Sequence, residues 1–317
     1  MNTSTEIAPR VAFGRALAEL GGEYPDLYVL DADVCTSTRT DVFRDAWPQR
    51  FIQCGIAEAN MVGMAGGMAS VGLTPFLSTF AVFLANRAAD QIRISVAYPA
   101  LNVKINAAYA GLPTGRAGAT HSSVADLALM RAMPNMTVLV PGDPVETAAA
   151  VRLALDTPGP VYLRTVRCPV PTIFPPEHRM ELGRGLELAE GPDAAIISTG
   201  MMTPKALAAA KLLESRGYRV RVLHMGSIKP LDDAAIRRAV RDCGTVVTVE
   251  NHSMIGGLGG AVAEVMASSG GGRLTRIGFP DIFMESGENE AVFSKMDMNT
   301  RNIADRTEEA IRNGGRT

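Results

Sequence analysis

A single carboxylate, Glu58, lies in a long stretch of the chain that is otherwise apolar or small. Residues 59–73 contain no charged side chain and are rich in glycine, alanine and methionine. An amphipathic surface helix would repeat charges every three or four residues, so residues 57–70 are predicted to form a buried helix. A buried carboxylate is costly unless it is paired, hydrogen-bonded or protonated. Glu58 is therefore either a helix-start residue satisfied by backbone amides or a group placed to share a proton.

Two phenylalanines and a histidine follow Glu58 in positions that could form one site. Phe80 and Phe83 end an apolar run, and a glycine-rich segment at 109–123 contains His121. Long loops of this kind inside a compact domain usually carry function. A helix is predicted to start just after His121, and its amino-terminal end would favour a neutral imidazole. A lone loop histidine can also be structural or simply exposed.

Taken together, these motifs resemble the pyrimidine-binding domain of thiamine-diphosphate enzymes, and most closely that of the transketolase family. The resemblance rests on a G-x-x-E pattern at residues 55–58 and an S-T-F-x-x-F pattern at residues 78–83, and it extends over nearly the whole chain. It implies that Glu58 bonds N1′ of the cofactor's aminopyrimidine and shares its proton. It also implies that Phe80 and Phe83 pack against that ring, and that the activity is transketolase-type transfer.

The same resemblance implies a substrate site. Arg10, Ser37 and Arg167 fall at positions where the family binds a sugar phosphate, and His121 falls at a catalytic position that contacts the donor sugar. Arginine suits a phosphate because its planar fork makes two parallel hydrogen bonds. Asp33 matches a family acid near the cofactor. Each arginine could instead be a surface residue, and Asp33 a strand-end carboxylate.

The chain departs from the family pattern at two substrate positions. Tyr109 stands where the family has its phosphate histidine, and Ala117 stands where the family has the acid that reads donor hydroxyl stereochemistry. The resemblance implies movement of a two-carbon ketol unit from a ketose to an aldose. It leaves open which sugars react and whether the anionic group of the substrate is a phosphate.

A metal site for the cofactor's diphosphate is missing from the sequence pattern. The family supplies Mg²⁺ from a separate domain with a G-D-G motif, whereas Gly142 and Asp143 are followed here by Pro144. The resemblance therefore implies the C-terminal half of a split transketolase, active only with an N-terminal partner subunit that holds thiamine diphosphate and most of the Mg²⁺ site. We expect a homodimer of this chain within a heterotetramer. A large apolar, methionine-rich surface is expected at that interface.

Length and composition agree with a two-domain enzyme. The 317 residues exceed one ordinary core, and 47% hydrophobic content allows a large buried volume. The net charge of −2 gives no electrostatic argument for nucleic acid or an anionic membrane. The four cysteines lie far apart, which argues against disulfide or zinc frameworks. Without a recognisable signal peptide or a long apolar span, a cytoplasmic protein is expected.

Alternating strands and helices predict an α/β fold with two doubly wound domains. Residues 1–170 are expected to form a parallel-sheet, pyrimidine-binding domain, and residues 191–317 a smaller domain like the transketolase C-terminal domain. A proline-rich linker is predicted at 171–190. Within the first domain one helix is predicted at 81–99, and the last strand at 160–167.

Several other functions fit part of the sequence. The β-subunit of a 2-oxoacid dehydrogenase and a deoxyxylulose-phosphate-synthase-like enzyme share this length or domain order. The glycines at 251–260 invite a nicotinamide-binding interpretation, but the third glycine of G-x-G-x-x-G is missing and a tight strand-to-helix turn explains them better. A partner subunit that has lost its catalytic site is the remaining alternative.

Overall fold

The computed structural model describes residues 6–112, 114–283 and 285–314. Two sheets, each covered by helices, form an α/β protein, as the sequence predicts. Within the described residues, none of the helices is both long enough and apolar enough to cross a membrane.

The strands run through both halves of the chain. Their bounds are β1 (Leu27–Asp31), β2 (Phe51–Gln53), β3 (Thr74–Phe80), β4 (Lys104–Ala108), β5 (Thr137–Leu139), β6 (Val161–Arg164), β7 (Leu186–Ala189), β8 (Ala194–Ser198), β9 (Val220–His224), β10 (Ser227–Lys229), β11 (Thr245–Ser253) and β12 (Arg273–Phe279).

The helices alternate with these strands. Their bounds are α1 (Pro9–Leu20), α2 (Cys35–Thr38), α3 (Asp41–Ala46), α4 (Glu58–Ser70), α5 (Ala81–Arg87), α6 (Ala89–Gln91), α7 (Asp126–Ala132), α8 (Pro144–Asp156), α9 (Met202–Glu214), α10 (Asp233–Cys243), α11 (Leu258–Ala267), α12 (Asn289–Lys295) and α13 (Thr300–Gly314). Shorter 3₁₀ segments lie at Pro48–Arg50 and Gly115–Thr120.

The first sheet has the strand order β10-β5-β6-β4-β3-β1-β2. Its strands are parallel except for β10, which pairs antiparallel with β5. Strand β10 comes from the second half of the chain, so the first sheet is completed by a segment beyond the proline-rich region. The short segment 227–229 carries no local pattern that would have predicted this.

The second sheet has the order β12-β11-β8-β9-β7. Strand β7 lies at the end of the range predicted as linker, and it pairs antiparallel with β9 at the edge of the sheet. An edge position tolerates a strand that follows a proline-rich segment, since only one side must supply ladder hydrogen bonds.

The predicted helix at 81–99 is interrupted. Helix α5 ends at Arg87, α6 is a short continuation, and Ile92–Ala97 form a π-helical turn. Gly66 of α4 packs against this turn so closely that an added Cβ would lie 2.6 Å from the carbonyl oxygen of Ser95. Glycine at 66 therefore lets the Glu58 helix approach the segment that follows Phe80 and Phe83.

The last strand of the first domain is shorter than predicted. Strand β6 ends at Arg164, and Arg167 lies beyond it in irregular structure. The Arg164 guanidinium is buried against Asp126 at 2.9 Å, so the strand ends in an internal ion pair. Arg167, by contrast, is exposed.

Candidate active site

The predicted site residues gather at the carboxyl edge of the first sheet. Strands β1, β3, β4 and β6 are neighbouring parallel strands, and Asp33, Phe80, Tyr109 and Arg167 lie at their ends or just beyond them. Ligands bind at this edge in open α/β sheets because the loops that follow parallel strands converge there.

Glu58 begins helix α4 after a turn that requires glycine at Gly55, whose φ is +70°. Its side chain is 3% exposed, and its Oε1 accepts a hydrogen bond of 3.1 Å from Nη1 of Arg87. Within the described residues no backbone amide donates to this carboxylate, and Oε2 has no hydrogen-bond partner. The helix-start interpretation, in which backbone amides satisfy Glu58, therefore lacks support from the contacts.

Arg87 contacts Glu58 and the Phe83 ring, and Phe83 belongs to an aromatic cluster. The ring centroids of Phe80 and Phe83 are 5.6 Å apart, and Phe80 stacks on Tyr109 at 4.2 Å. His121 lies 5.8 Å from Phe80 and 5.5 Å from Phe83, between ring centroids. The structure therefore brings together both predicted phenylalanines and the predicted histidine.

His121 does not precede a helix directly, contrary to the sequence-based expectation. It follows the 3₁₀ segment Gly115–Thr120, and helix α7 begins only at Asp126. The argument that a helix end favours the neutral imidazole is therefore wrong for this residue. Its Nδ1 instead lies 2.8 Å from Oγ1 of Thr120, which fixes the ring orientation.

Two arginines flank Tyr109. The guanidinium carbons of Arg10 and Arg167 lie 5.8 Å and 5.6 Å from the centre of its ring. Arg10 donates to the carbonyl of Ser37 at 2.8 Å, and Arg167 donates to the carbonyl of Thr114 at 3.2 Å. Within the described residues neither arginine has an acidic partner, and the buried Nε of Arg10 has no hydrogen-bond acceptor.

Ser37 and Asp33 are the two predicted polar residues after β1, and unlike the arginines they make contacts through backbone atoms. Ser37 lies in α2 and contacts Arg10 through its backbone carbonyl. Asp33 is exposed, has a left-handed φ of 63°, and uses its amide to donate to Gln53 Oε1 at 2.7 Å. The structure thus places Asp33 at the correct edge of the sheet but gives its carboxylate no contact with the aromatic cluster.

The buried acid of this loop is Asp31. It accepts hydrogen bonds from the amide of Val34 and from the hydroxyls of Thr38 and Thr40. Burial raises the pKa of Asp31, and these three donors oppose that effect. Asp31 therefore holds the loop that carries Asp33 and Ser37.

Arg87 is a residue of this site that was not predicted from the sequence. Its guanidinium carbon lies 4.1 Å from the centre of the Phe83 ring while Nη1 contacts Glu58. The sequence did contain a signal, because Arg87 is the first charged residue after Glu58. A lone cation at the end of a long uncharged stretch is the natural partner for a lone buried carboxylate.

The glycine-rich turn at 251–260 is already satisfied internally. The carboxylate of Glu250 accepts the amides of Leu258 and Gly259 at 2.7 Å and 2.8 Å, at the start of α11. Burial raises the pKa of Glu250 to about 7, and the two amides oppose the rise. A side chain thus occupies the position where a dinucleotide phosphate would bind, which disfavours the nicotinamide interpretation.

The arrangement fits the aminopyrimidine half of thiamine diphosphate. Glu58 is nearly buried, one of its oxygens has no partner in the described part of the chain, and Arg87 links it to the aromatic rings; a carboxylate and rings of this kind can hydrogen-bond and stack a flat heterocycle. Within the described residues no group of three or more His, Cys, Asp or Glu side chains is arranged to hold a metal ion.

Family models match both halves of the chain. The model described as "Transketolase, pyrimidine binding domain" matches residues 5–171, and the one described as "Transketolase, C-terminal domain" matches residues 183–303.

Individual proteins match over nearly the full length. The chain is 43% identical to a putative transketolase C-terminal section of Methanocaldococcus jannaschii, covering 96% of each sequence. It is 38% identical to a 6-deoxy-6-sulfo-D-fructose transketolase subunit of a Clostridium species, covering 87% of this chain and 86% of that one. A solved split-gene transketolase, described as an inactive β4 tetramer, is 46% identical with a TM-score of 0.89 and covers 97% of this chain and 99% of that one.

Proposed function

This chain belongs to the transketolase family as the C-terminal subunit of a transketolase-type enzyme, and we propose that it moves a two-carbon ketol unit from a ketose to an aldose with thiamine diphosphate. The observation that carries this proposal is the buried Glu58 carboxylate, one oxygen of which has no hydrogen-bond partner among the described residues, linked through Arg87 to the Phe83 and Phe80 rings. The cofactor supplies an electron sink for cleaving a carbon–carbon bond next to a carbonyl.

The chain's own residues have separate roles in this proposal. Glu58 accepts and returns the proton at N1′ of the aminopyrimidine through its free oxygen, and Phe80 and Phe83 orient the ring by packing. His121 contacts the donor sugar, since its imidazole ring nitrogens can hydrogen-bond a hydroxyl group. Asp33 remains a prediction as a residue near the cofactor.

The substrate's anionic end is bound by Arg10, Arg167 and Ser37. Two guanidinium groups that have no acidic partner among the described residues, one of them with a buried Nε unpaired there, are suited to a tetrahedral oxyanion. One relative is named for 6-deoxy-6-sulfo-D-fructose and another for apulose 4-phosphate, and both substrates carry an anionic group. We therefore propose a phosphorylated or similarly charged ketose.

The enzyme requires a partner subunit. We propose that an N-terminal transketolase subunit supplies the diphosphate and most of the Mg²⁺ site, in a heterotetramer built on a homodimer of this chain. The need for a partner is supported by relatives named as a transketolase C-terminal section and a transketolase subunit, and by the solved split-gene β4 tetramer, which is described as inactive. Unpaired cysteines and sugar-phosphate chemistry suit the reducing cytoplasm.

A surface near Glu58 supports an obligate interface. We define the outer face of α4 by Gly63, Met64 and Gly67, with the exposed Ile56 and Val71 at its two ends. An added Cβ at Gly63 or Gly67 would meet nothing within 4 Å, so another backbone can approach closely there. Ile56 and Val71 are 74% and 76% exposed, so a partner covering this face would remove two large apolar side chains from water.

The test uses the chain co-purified with an N-terminal subunit, thiamine diphosphate and Mg²⁺. Transfer from a panel of ketose phosphates to ribose 5-phosphate is measured for wild type, Glu58→Gln and a control, Glu214→Gln, at an exposed position. We expect Glu58→Gln to lower kcat by about 10²–10⁴-fold, the usual contribution of a positioned acid–base group. The control should retain wild-type kcat, and both variants should keep the wild-type melting temperature.

Near-wild-type turnover by Glu58→Gln would refute the role of this carboxylate. A complex that binds the cofactor but transfers nothing from any ketose would redirect the assay to 2-oxoacids, the substrates of the dehydrogenase alternative.

A further inference from the structure

Arg87 contacts two of the residues proposed to face the cofactor, Glu58 and Phe83. Its guanidinium donates to Oε1 of Glu58 at 3.1 Å and lies 4.1 Å from the centre of the Phe83 ring. Half of its side chain is exposed, yet the guanidinium is held at two points. Arg87 is the last residue of α5, and the helical conformation is interrupted at Ala88. This break sets the backbone position of Arg87.

These contacts distinguish the two oxygens of the Glu58 carboxylate. Oε1 is engaged by Arg87, whereas Oε2 has no partner among the described residues. A carboxylate held by one oxygen cannot rotate freely about its last torsion without losing a charge-assisted hydrogen bond. The free oxygen is thus kept in one direction before any ligand arrives.

We propose that Arg87 is a positioning residue that holds Glu58 so that one carboxylate oxygen faces N1′ of the aminopyrimidine. This inference rests on the proposed function, in which Glu58 exchanges the N1′ proton. Pre-orienting a catalytic group removes an entropic and geometric barrier, and a misplacement of about 1 Å can cost about 10²-fold in rate.

The geometry requires arginine rather than lysine. A planar guanidinium can lie over an aromatic ring and still donate in its own plane to a carboxylate. A lysine ammonium could form the ion pair, but it has no flat face to stack on Phe83. The Phe83 ring therefore restrains the orientation of the Arg87 guanidinium, which in turn restrains the orientation of the Glu58 carboxylate.

The experiment compares Arg87→Ala and Arg87→Lys in the assembled complex. The control is Arg238→Ala, which removes an exposed arginine of α10 that makes no side-chain hydrogen bond or ion pair within the described residues. Three quantities are measured: the melting temperature, the thiamine diphosphate dissociation constant by calorimetry, and kcat. We expect Arg87→Ala to lower kcat by about 10²-fold and Arg87→Lys to recover part of it. Calorimetry should show weaker cofactor binding by Arg87→Ala, and all variants should keep the wild-type melting temperature.

A double-mutant cycle tests whether Arg87 acts through Glu58. If it does, adding Arg87→Ala to Glu58→Gln should cause no further loss of kcat or cofactor affinity. Multiplicative losses would show a separate role and overturn the proposal, as would tighter cofactor binding by Arg87→Ala, because that would mean that Arg87 blocks the ring position. The proposed function fails separately, if the wild-type complex itself transfers no ketol unit.

Discussion

A buried acid–histidine cluster, consisting of Glu146, His178 and His224, should make the stability of this protein depend on pH. Glu146 Oε2 contacts His224 Nε2 at 2.8 Å and accepts the amide of Gly142 at 2.6 Å, while Oε1 lies 3.5 Å from His178 Nε2. The three side chains come from α8, the proline-rich segment and β9. The cluster therefore joins the two halves of the chain through one carboxylate.

The magnitude follows from the pKa of Glu146. Burial raises this pKa, but His224, His178 and the Gly142 amide together outweigh burial and hold it at about 2, against 4.5 for the free side chain. A carboxyl whose pKa is lowered on folding stabilises the fold above its unfolded-state pKa, and this contribution is lost as the pH falls from 4.5 towards 2. The full contribution is about 3 kcal/mol, of which about 2 kcal/mol is lost by pH 3.

The perturbation is Glu146→Gln, which keeps the size of the side chain and removes its charge. Urea unfolding of both proteins at pH 6 and pH 3 gives the free energies of unfolding. Wild type should lose about 2 kcal/mol more than the variant between these two pH values. The comparison isolates the Glu146 cluster, since the carboxyl groups outside it titrate in both proteins. An equal loss of unfolding free energy in wild type and variant would show that the Glu146 carboxylate does not cause this pH dependence.

Two further predictions concern the substrate and the partner. Arg167→Gln should raise KM for an anionic ketose by about 10–100-fold, the value of one charge-assisted hydrogen bond, without changing the melting temperature. Steady-state kinetics should show no such rise for an uncharged ketose, and an equal rise for both substrates would contradict the anion-binding role. Gly63→Arg should prevent assembly with the N-terminal subunit while leaving the isolated fold intact, because a side chain at 63 meets open space. Size-exclusion chromatography tests this, and normal assembly would exclude the outer face of α4 from the interface.

The fold class and several local elements can be predicted from the sequence. Strand β3 spans Thr74–Phe80, an apolar run that follows a glycine-containing turn. Helix α8 begins where Asp143, Pro144 and Glu146 form a local helix-start pattern, and the Asp143 side chain accepts the amide of Glu146 at 2.7 Å. Such features depend on residues a few positions apart, so a local pattern contains the information that specifies them.

The motif residues of the proposed cofactor site could also be identified from the sequence, because they too lie close together along the chain. Glu58, Phe80 and Phe83 lie in one short part of the chain with distinctive spacing, and a uniquely uncharged environment makes the carboxylate conspicuous. Their roles remain proposals, but α4, β3 and α5 follow one another along the chain and pack together, which keeps these residues in one region of the fold.

Contacts between residues far apart in the sequence depend on the tertiary fold. Glu58 and Arg87 are 29 positions apart, and Arg10, Tyr109 and Arg167 reach one another from the starts or ends of three separate elements. Strand β10 crosses from the second half of the chain to complete the first sheet. The order of strands sets these contacts, and that order results from packing the whole core, which no single stretch of sequence specifies.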